Sequence, residues 1–209
     1  IPTPDPPHLL VLHGWGTGLA FYARNLDALA KRFRVHLVDI VGYGASSRPV
    51  LPDSDAAAAE GFFVESLQSM IIELRKEQRL PPTFKFHVLA HSLGGFLATK
   101  LAIAHPSSVA SLVLASPVGL PPAPPNKYPP PSDPLSKRAL FAVVFFFWHH
   151  GFTPQFFVRA LPAALGRVLT GWFLRPRLGG GVEEGAFEKA VEYSYALSAA
   201  PASGEVAMH

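Results

Sequence analysis

Apolar and polar positions alternate between two periods along the first half of the chain. Four short apolar runs predict buried strands, at residues 8–13, 34–39, 84–90 and 110–115. Three intervening segments carry apolar residues at helical spacing and predict helices, at residues 19–32, 56–80 and 93–104. Strands that alternate with helices predict an α/β fold, a mostly parallel sheet flanked by helices, in which ligands collect at the carboxyl ends of the strands.

The second half of the chain has a different pattern. Nine prolines from Pro117 to Pro134 predict an irregular connector, and the following segment has helical, aromatic and basic character. We therefore predict three parts: a core at residues 1–116, a connector at 117–134, and a helical cap at 135–209.

The third predicted strand ends at a serine and turns at once into a helix. His91, Ser92 and Leu93 are followed by Gly94 and Gly95, and small residues permit the sharp turn that exposes a serine nucleophile. The pattern is a G-x-S-x-G elbow with Ala90 in place of the first glycine. We predict that Ser92 is a catalytic nucleophile, and that His91, Gly94 and Gly95 support the turn.

Acyl transfer at a serine also needs donors for the developing oxyanion. In an elbow, one donor is the amide after the serine, here that of Leu93, and the other comes from the loop after an earlier strand. The loop with Gly14, Trp15 and Gly16 occupies that place in the chain, so we assign the second donor to the amide of Trp15. The alternative is a phosphate-binding loop, but this loop has neither the lysine of a nucleotide-phosphate loop nor the third glycine of a dinucleotide-binding motif.

These motifs together resemble the α/β-hydrolase superfamily. The resemblance rests on His13 to Gly16, on Asp39 to Ser46, on His91 to Gly95 and on His105-Pro106. Further matches at residues 42–49, 94–98 and 201–205 are similar to a lipid-metabolising branch that includes the lipid-droplet lipase co-activator, the N-acyl-phospholipid lipase and the fungal cardiolipin deacylase. This resemblance implies an α/β-hydrolase fold with a helical cap.

The activity that this branch implies is lipid acyl chemistry. Its members are phospholipases, lysophospholipid acyltransferases or catalytically silent lipase partners. The leading interpretation is a serine-dependent hydrolase or acyltransferase that acts on (lyso)phospholipid or acylglycerol esters through an acyl-enzyme at Ser92, without metal or cofactor. The alternative is a non-enzymatic lipid-surface or lipase-regulating protein. An epoxide hydrolase is disfavoured because its elbow usually carries Asp.

A catalytic histidine and its carboxylate should follow the serine in the chain. No acidic residue occurs between Glu77 and Asp133, and Asp39 is better explained as a cap of the turn amides of Val41 or Gly42. His105 reads as a helix terminator, and His209 is the last residue. In the family, both groups follow two further strands, so we expect them in a carboxyl-terminal part absent from this sequence, and this chain alone to be inactive or nearly so.

Composition adds a candidate surface. Eight of the sixteen phenylalanines lie between Phe141 and Phe173, and between Asp133 and Glu183 there are six basic residues and no acidic one. Such a segment predicts contact of residues 137–177 with an anionic membrane or lipid droplet. The alternative is a cap packed over the active site with its aromatic rings buried.

The rest of the composition mainly excludes classes of site. The 209 residues contain no cysteine, so thiol and zinc-thiolate sites are ruled out. No apolar run reaches the roughly 18 residues that span a bilayer, and the basic residues form no nucleic-acid motif. We expect an intracellular protein, peripheral on a membrane, lipid droplet or organelle.

Overall fold

The computed structural model describes residues 5–51, 56–119, 134–178 and 180–206. The chain forms two compact units, Ile1–Val118 and Gly119–His209. Most of the predicted connector, residues 120–133, lies outside the described residues. The assignment of core, connector and cap to residues 1–116, 117–134 and 135–209 stays a prediction.

The first unit is built on a four-stranded parallel sheet with the strand order β2-β1-β3-β4. Its strands are β1 (His8–Leu12), β2 (Arg34–Val38), β3 (Phe86–His91) and β4 (Val109–Ala115). The central strand β1 is buried along its whole length, as expected for a parallel strand with neighbours on both sides. The predicted α/β sheet is confirmed, and its strand ends differ from the prediction by one or two residues.

Three helices accompany this sheet. They are α1 (Ala23–Ala30), α2 (Ala56–Glu77) and α3 (Leu93–Ala104). The predicted helix at 19–32 begins instead with a 3₁₀ turn, Leu19–Tyr22, whose first amide donates to Asp39 Oδ1 at 2.7 Å. On α2 the buried residues Phe63, Leu67 and Ile71 recur every four positions, so this helix presents one apolar face to the core.

A buried arginine ties α2 to the sheet. Arg75 Nε donates to the Phe84 carbonyl at 2.9 Å, and its Nη2 donates to Ser108 Oγ at 3.2 Å. These bonds join the end of α2 to the segments that precede β3 and β4. Sequence reasoning missed this contact because Arg75 lies at helical spacing with apolar residues and resembles an exposed helix-end cation.

The second unit is helical. Its helices are α4 (Leu135–His149), α5 (Pro154–Ala160), α6 (Ala163–Leu178) and α7 (Glu184–Ala199). α6 packs closely on α7 because Gly166 has no side chain: a Cβ there would lie 2.8 Å from the Tyr195 ring. Within the described ranges, no helix is both long and apolar enough to cross a membrane.

An ion pair inside the second unit fixes the segment after α7. Arg159 Nη1 donates to Glu205 Oε1 at 2.7 Å and to the carbonyls of Ser198 and Ala200 at 3.2 Å. Glu205 is almost fully buried and its Oε2 accepts the Ser203 amide. Breaking one partner of such a buried pair is strongly destabilising, so the pair holds the end of α5 against the end of α7.

Two histidines on neighbouring strands, His8 on β1 and His36 on β2, share a hydrogen bond. His36 Nε2 and His8 Nδ1 are 3.0 Å apart, and one proton serves both nitrogens. Burial, followed by the charges of His8 and Arg34, lowers the pKa of His36 to about 4. A folded-state pKa below the unfolded value of about 6.5 means that the neutral ring stabilises the fold above pH 6.5, and that this contribution is lost as the pH falls toward 4.

We expect His36→Phe to flatten the acid side of the stability profile. Phenylalanine keeps a ring against Phe86, whose centroid is 5.8 Å from that of His36, but does not titrate. For a fully buried ring the loss between pH 6.5 and 4 would be about 3 kcal/mol, and for this half-buried one we expect about 1 kcal/mol. Urea unfolding at both pH values checks this, and an unchanged pH dependence in the variant would contradict the assignment.

Candidate active site

The turn between β3 and α3 consists of a single residue, Ser92. Its φ of 51° and ψ of −116° lie in a region that non-glycine residues rarely adopt and that costs of the order of 1–3 kcal/mol. Such strain persists only where the surroundings determine it. The geometry is that of a sharp strand-to-helix elbow at the carboxyl end of a parallel sheet, where the sequence predicts it.

Backbone hydrogen bonds hold Ser92 in this conformation. Its amide donates to the Ala115 carbonyl at the end of β4, at 3.1 Å, and its carbonyl accepts the amides of Phe96 and Val118, each at 3.2 Å. The peptide units on both sides of Ser92 are thus fixed by the first turn of α3 and by the stretch from the end of β4 to Val118.

Glycines bring the loop after β1 against this elbow. A Cβ at Gly14 would lie 3.1 Å from Ser92 Cβ and 2.8 Å from His91 Nδ1. A Cβ at Gly94 would lie 2.5 Å from the His13 carbonyl oxygen. The structure therefore brings the predicted residues Gly14, His91 and Gly94 together around Ser92.

The remaining predicted residues lie in the loop after β1 and in the first turn of α3. Gly95 allows Pro117 to approach, because a Cβ would lie 2.8 Å from Pro117 Cβ. Gly16 has a φ of 67°, which glycine adopts without strain. The half-buried Trp15 lies in this loop, and Leu93 is the first residue of α3, where helix amides have no intrahelical acceptor.

A buried network links this loop to the loop after β2. His13 Nδ1 donates to the Gly14 carbonyl at 2.8 Å, and the Ile40 amide donates to His13 Nε2 at 3.0 Å. Burial lowers the pKa of His13, against smaller opposite effects from the Gly14 bond and from Asp39. The Ile40 amide can only donate, so His13 Nε2 carries no proton and the ring is neutral. The ring joins two loops that the sequence places 27 residues apart.

Asp39 caps two turns with its two oxygens. Oδ1 accepts the Leu19 amide at 2.7 Å and Oδ2 accepts the Ala45 amide at 2.9 Å. A side chain at Gly44 would overlap this carboxylate. The predicted turn-capping role is confirmed, but the predicted partners, Val41 and Gly42, were wrong because the chain folds back further before it meets the carboxylate.

The described histidines that follow Ser92 have partners elsewhere. His105 Nε2 is 2.8 Å from Glu65 Oε1, and its amide closes the end of α3, in agreement with its predicted role as a helix terminator. His150 Nδ1 donates to the Phe146 carbonyl at 2.7 Å. His209 and the side chain of His149 lie outside the described residues.

Comparison with known proteins places this geometry in a family. The family described as "alpha/beta hydrolase fold" matches residues 7–202. A 1-acylglycerol-3-phosphate O-acyltransferase of Arabidopsis thaliana is 37% identical over 97% of this chain and 47% of its own length. A (lyso)-N-acylphosphatidylethanolamine lipase of Bos taurus is 34% identical over 78% of this chain and 39% of its own length. The chain thus spans less than half the length of these curated relatives.

A solved structure shares the fold. The 2-hydroxy-6-oxo-6-phenylhexa-2,4-dienoate hydrolase of Rhodococcus sp. strain RHA1 superimposes with a TM-score of 0.59 at 20% identity. The match covers 95% of this chain and 60% of that one. At this identity the likeness concerns the arrangement of strands and helices alone.

The tight approach of α3 to β1 predicts opposite effects for two helix glycines. Gly94→Ala would place a methyl group 2.5 Å from the His13 carbonyl, and we expect a loss of about 2 kcal/mol of stability. Gly61 on α2 has no atom within 4 Å of a Cβ position, so Gly61→Ala serves as the matched control and gains up to about 1 kcal/mol from helix propensity. Urea unfolding measures both, and equal effects would contradict the close approach.

Proposed function

Because this chain belongs to the α/β-hydrolase fold family, we propose that Ser92 is the nucleophile of a lipid acyl hydrolase or acyltransferase. The observation that carries the proposal is the strained elbow at Ser92 beside the Gly14 loop. A serine held in this way exposes its hydroxyl at the sheet edge where ligands of parallel sheets bind.

The reaction runs through an acyl-enzyme. The Ser92 oxygen attacks the ester carbonyl carbon while a base takes its proton, and the carbonyl electrons move onto the oxyanion. The amides of Leu93 and Trp15 donate to that oxyanion. Collapse expels the alcohol, which takes the proton from the base. Water, or the hydroxyl of an acceptor lipid, then gives its proton to the base and attacks the acyl carbon, and the base returns the proton to Ser92 as the acyl bond to it breaks.

The base and its carboxylate are assigned to the region of the longer relatives that this chain does not span. This assignment is supported by the described histidines after Ser92, which are bonded to Glu65 and to the Phe146 carbonyl. On this account the chain alone binds and orients an ester but transfers its acyl group slowly at best.

The substrate class proposed is a (lyso)phospholipid or acylglycerol ester. The support comes from the names of the two relatives above, an acyltransferase for an acylglycerol phosphate and a lipase for an N-acyl phospholipid. Both names describe acyl chemistry on a glycerophospholipid. The proposal covers hydrolysis and acyl transfer alike, because the two differ only in the acceptor that releases the acyl-enzyme.

A lipid surface is the proposed source of this substrate, and α6 carries the apolar face suited to it. Leu165, Val168 and Trp172 are 53%, 68% and 67% exposed and follow one another at helical spacing, so they share one face of the helix. The other face buries Gly166 and Thr170. An apolar face with a tryptophan is typical of helices that lie at a membrane interface.

Charge contributes less to this surface than composition suggests. Of the six basic residues between Asp133 and Glu183, three are ion-paired with glutamates: Arg159 with Glu205, Arg167 with Glu192, and Arg175 with Glu184. The proposed contact through residues 137–177 therefore depends mainly on apolar insertion, and a preference for anionic lipid should be weak.

Ser92→Ala in the full-length protein is the test of the nucleophile. We expect loss of labelling by a fluorophosphonate probe and a fall in ester turnover of at least about a thousandfold, because the variant lacks the hydroxyl that forms the acyl-enzyme. Ser69→Ala, which removes an exposed hydroxyl on α2, is the control and should behave as wild type. Equal labelling of the parent and Ser92→Ala would contradict the assignment of Ser92 as the nucleophile, whereas absence of labelling in the parent would favour the non-enzymatic lipid-surface protein.

Val168→Ser tests the surface on α6. Loss of one valine side chain from an apolar contact costs about 1.5 kcal/mol, so we expect roughly tenfold weaker sedimentation with phosphatidylcholine vesicles. Ile103→Ser on α3 is the matched control, because Ile103 is 74% exposed on a helix outside the proposed surface. The surface would be wrong if the two variants bound vesicles equally.

A further inference from the structure

His13 is a buried ring that the proposed reaction does not use directly. It is 1% exposed, lies directly after β1, and packs edge-on against Tyr43 with ring centroids 5.7 Å apart. Both of its ring nitrogens are nevertheless engaged, one with the Gly14 carbonyl and one with the Ile40 amide. A buried polar side chain that uses all its hydrogen-bonding capacity specifies a geometry as well as filling space.

The two bonds define a single tautomer. A backbone amide can only donate, so the Ile40 bond requires an unprotonated Nε2. The proton of the neutral ring is then on Nδ1, which donates to the Gly14 carbonyl. Asp39 Oδ1 is 3.7 Å from Nε2, too far for a hydrogen bond, and it accepts the Leu19 amide instead.

Gly14 connects these hydrogen bonds to Ser92. Gly14, whose carbonyl accepts from His13, is also the residue whose Cβ position lies 3.1 Å from Ser92 Cβ. The His13 carbonyl in turn lies under the first turn of α3, 2.5 Å from a Cβ at Gly94. A change at the His13 ring therefore moves the loop that contains the Trp15 amide relative to Ser92.

We propose that His13 is a positioning residue that bridges the loops after β1 and β2 and thereby sets the Trp15 amide at the distance from Ser92 that oxyanion binding requires. The inference rests on the proposed function of Ser92 and adds a residue to it. The ring touches neither substrate nor oxyanion, so its effect should appear in the rate of acyl transfer and not in ester binding.

Two amide variants distinguish the bond to the Ile40 amide, which bridges the two loops, from the local bond to the Gly14 carbonyl. In His13→Gln the side-chain oxygen lies near the former position of Nε2 and accepts the Ile40 amide. In His13→Asn the shorter side chain keeps only the bond to the Gly14 carbonyl and leaves the Ile40 amide without its acceptor. The pair thus differs in the bridge, while both replace an imidazole with an amide.

The experiment measures kcat and KM of the full-length protein with p-nitrophenyl butyrate, well below the unfolding midpoint of each variant. We expect His13→Gln to keep kcat within about threefold, and His13→Asn to lose about ten- to a hundredfold, since loss of one whole oxyanion donor costs about a hundredfold or more. KM should stay within about twofold for both. Equal kcat values for the two variants, or a loss confined to KM, would overturn the proposal.

A second measurement does not depend on activity or on the stability of a variant. Long-range nitrogen–proton spectra of the wild-type protein should show a neutral His13 ring with the proton on Nδ1, and a proton on Nε2 would overturn the bridge. Turnover by Ser92→Ala separates the two proposals. If that variant stays active, both proposals are wrong. If it is inactive while His13→Gln and His13→Asn have equal kcat values, only the proposed role of His13 is wrong.

Discussion

The approach of the first turn of α3 to the carboxyl end of β1 determines the geometry of this site. Gly94 lies against the His13 carbonyl, and Gly14 lies against the side chains of His91 and Ser92, so a side chain at either glycine would force the neighbouring segments apart. Protein interiors are packed too densely to absorb an extra methyl group here without a shift of one element. From this contact follow the position of the serine, that of the loop beside it, and the common sheet edge at which both are presented.

The strain at Ser92 is maintained by the same arrangement. Its amide and carbonyl are bonded to α3 and to the stretch from the end of β4 to Val118. The loop that faces it is held by the two bonds of the His13 ring, and the Asp39 carboxylate bonds the amides of Leu19 and Ala45. Each of these groups is buried and fully bonded, so the loops cannot relax independently. A serine with a positive φ then becomes the lowest-energy arrangement of the whole sheet edge, although it is unfavourable for the residue itself.

Much of this could be predicted from the sequence because it depends on local patterns. Apolar runs define the strands, and small residues around Ser92 define the elbow. The bond of the Leu19 amide to Asp39 and the buried pair of Arg159 with Glu205 could not be predicted, since they join residues 20 and 46 positions apart and local periodicity carries no information on which distant groups meet. For the same reason, the count of basic residues between Asp133 and Glu183 overstates the positive charge of this segment. The glutamates that pair with Arg167 and Arg175 lie on the next helix, α7.

We propose that Ser92 and the amides of Trp15 and Leu93 form one acyl-transfer site. A crystal structure of the full-length protein after reaction with a phosphonate ester tests it most directly, because the phosphonyl group mimics the tetrahedral intermediate. We expect a covalent bond from phosphorus to Ser92 Oγ, with the phosphonyl oxygen at about 2.7–3.1 Å from both amide nitrogens. A phosphonyl group on any other residue, or one on Ser92 whose oxygen points away from both amides, would contradict it.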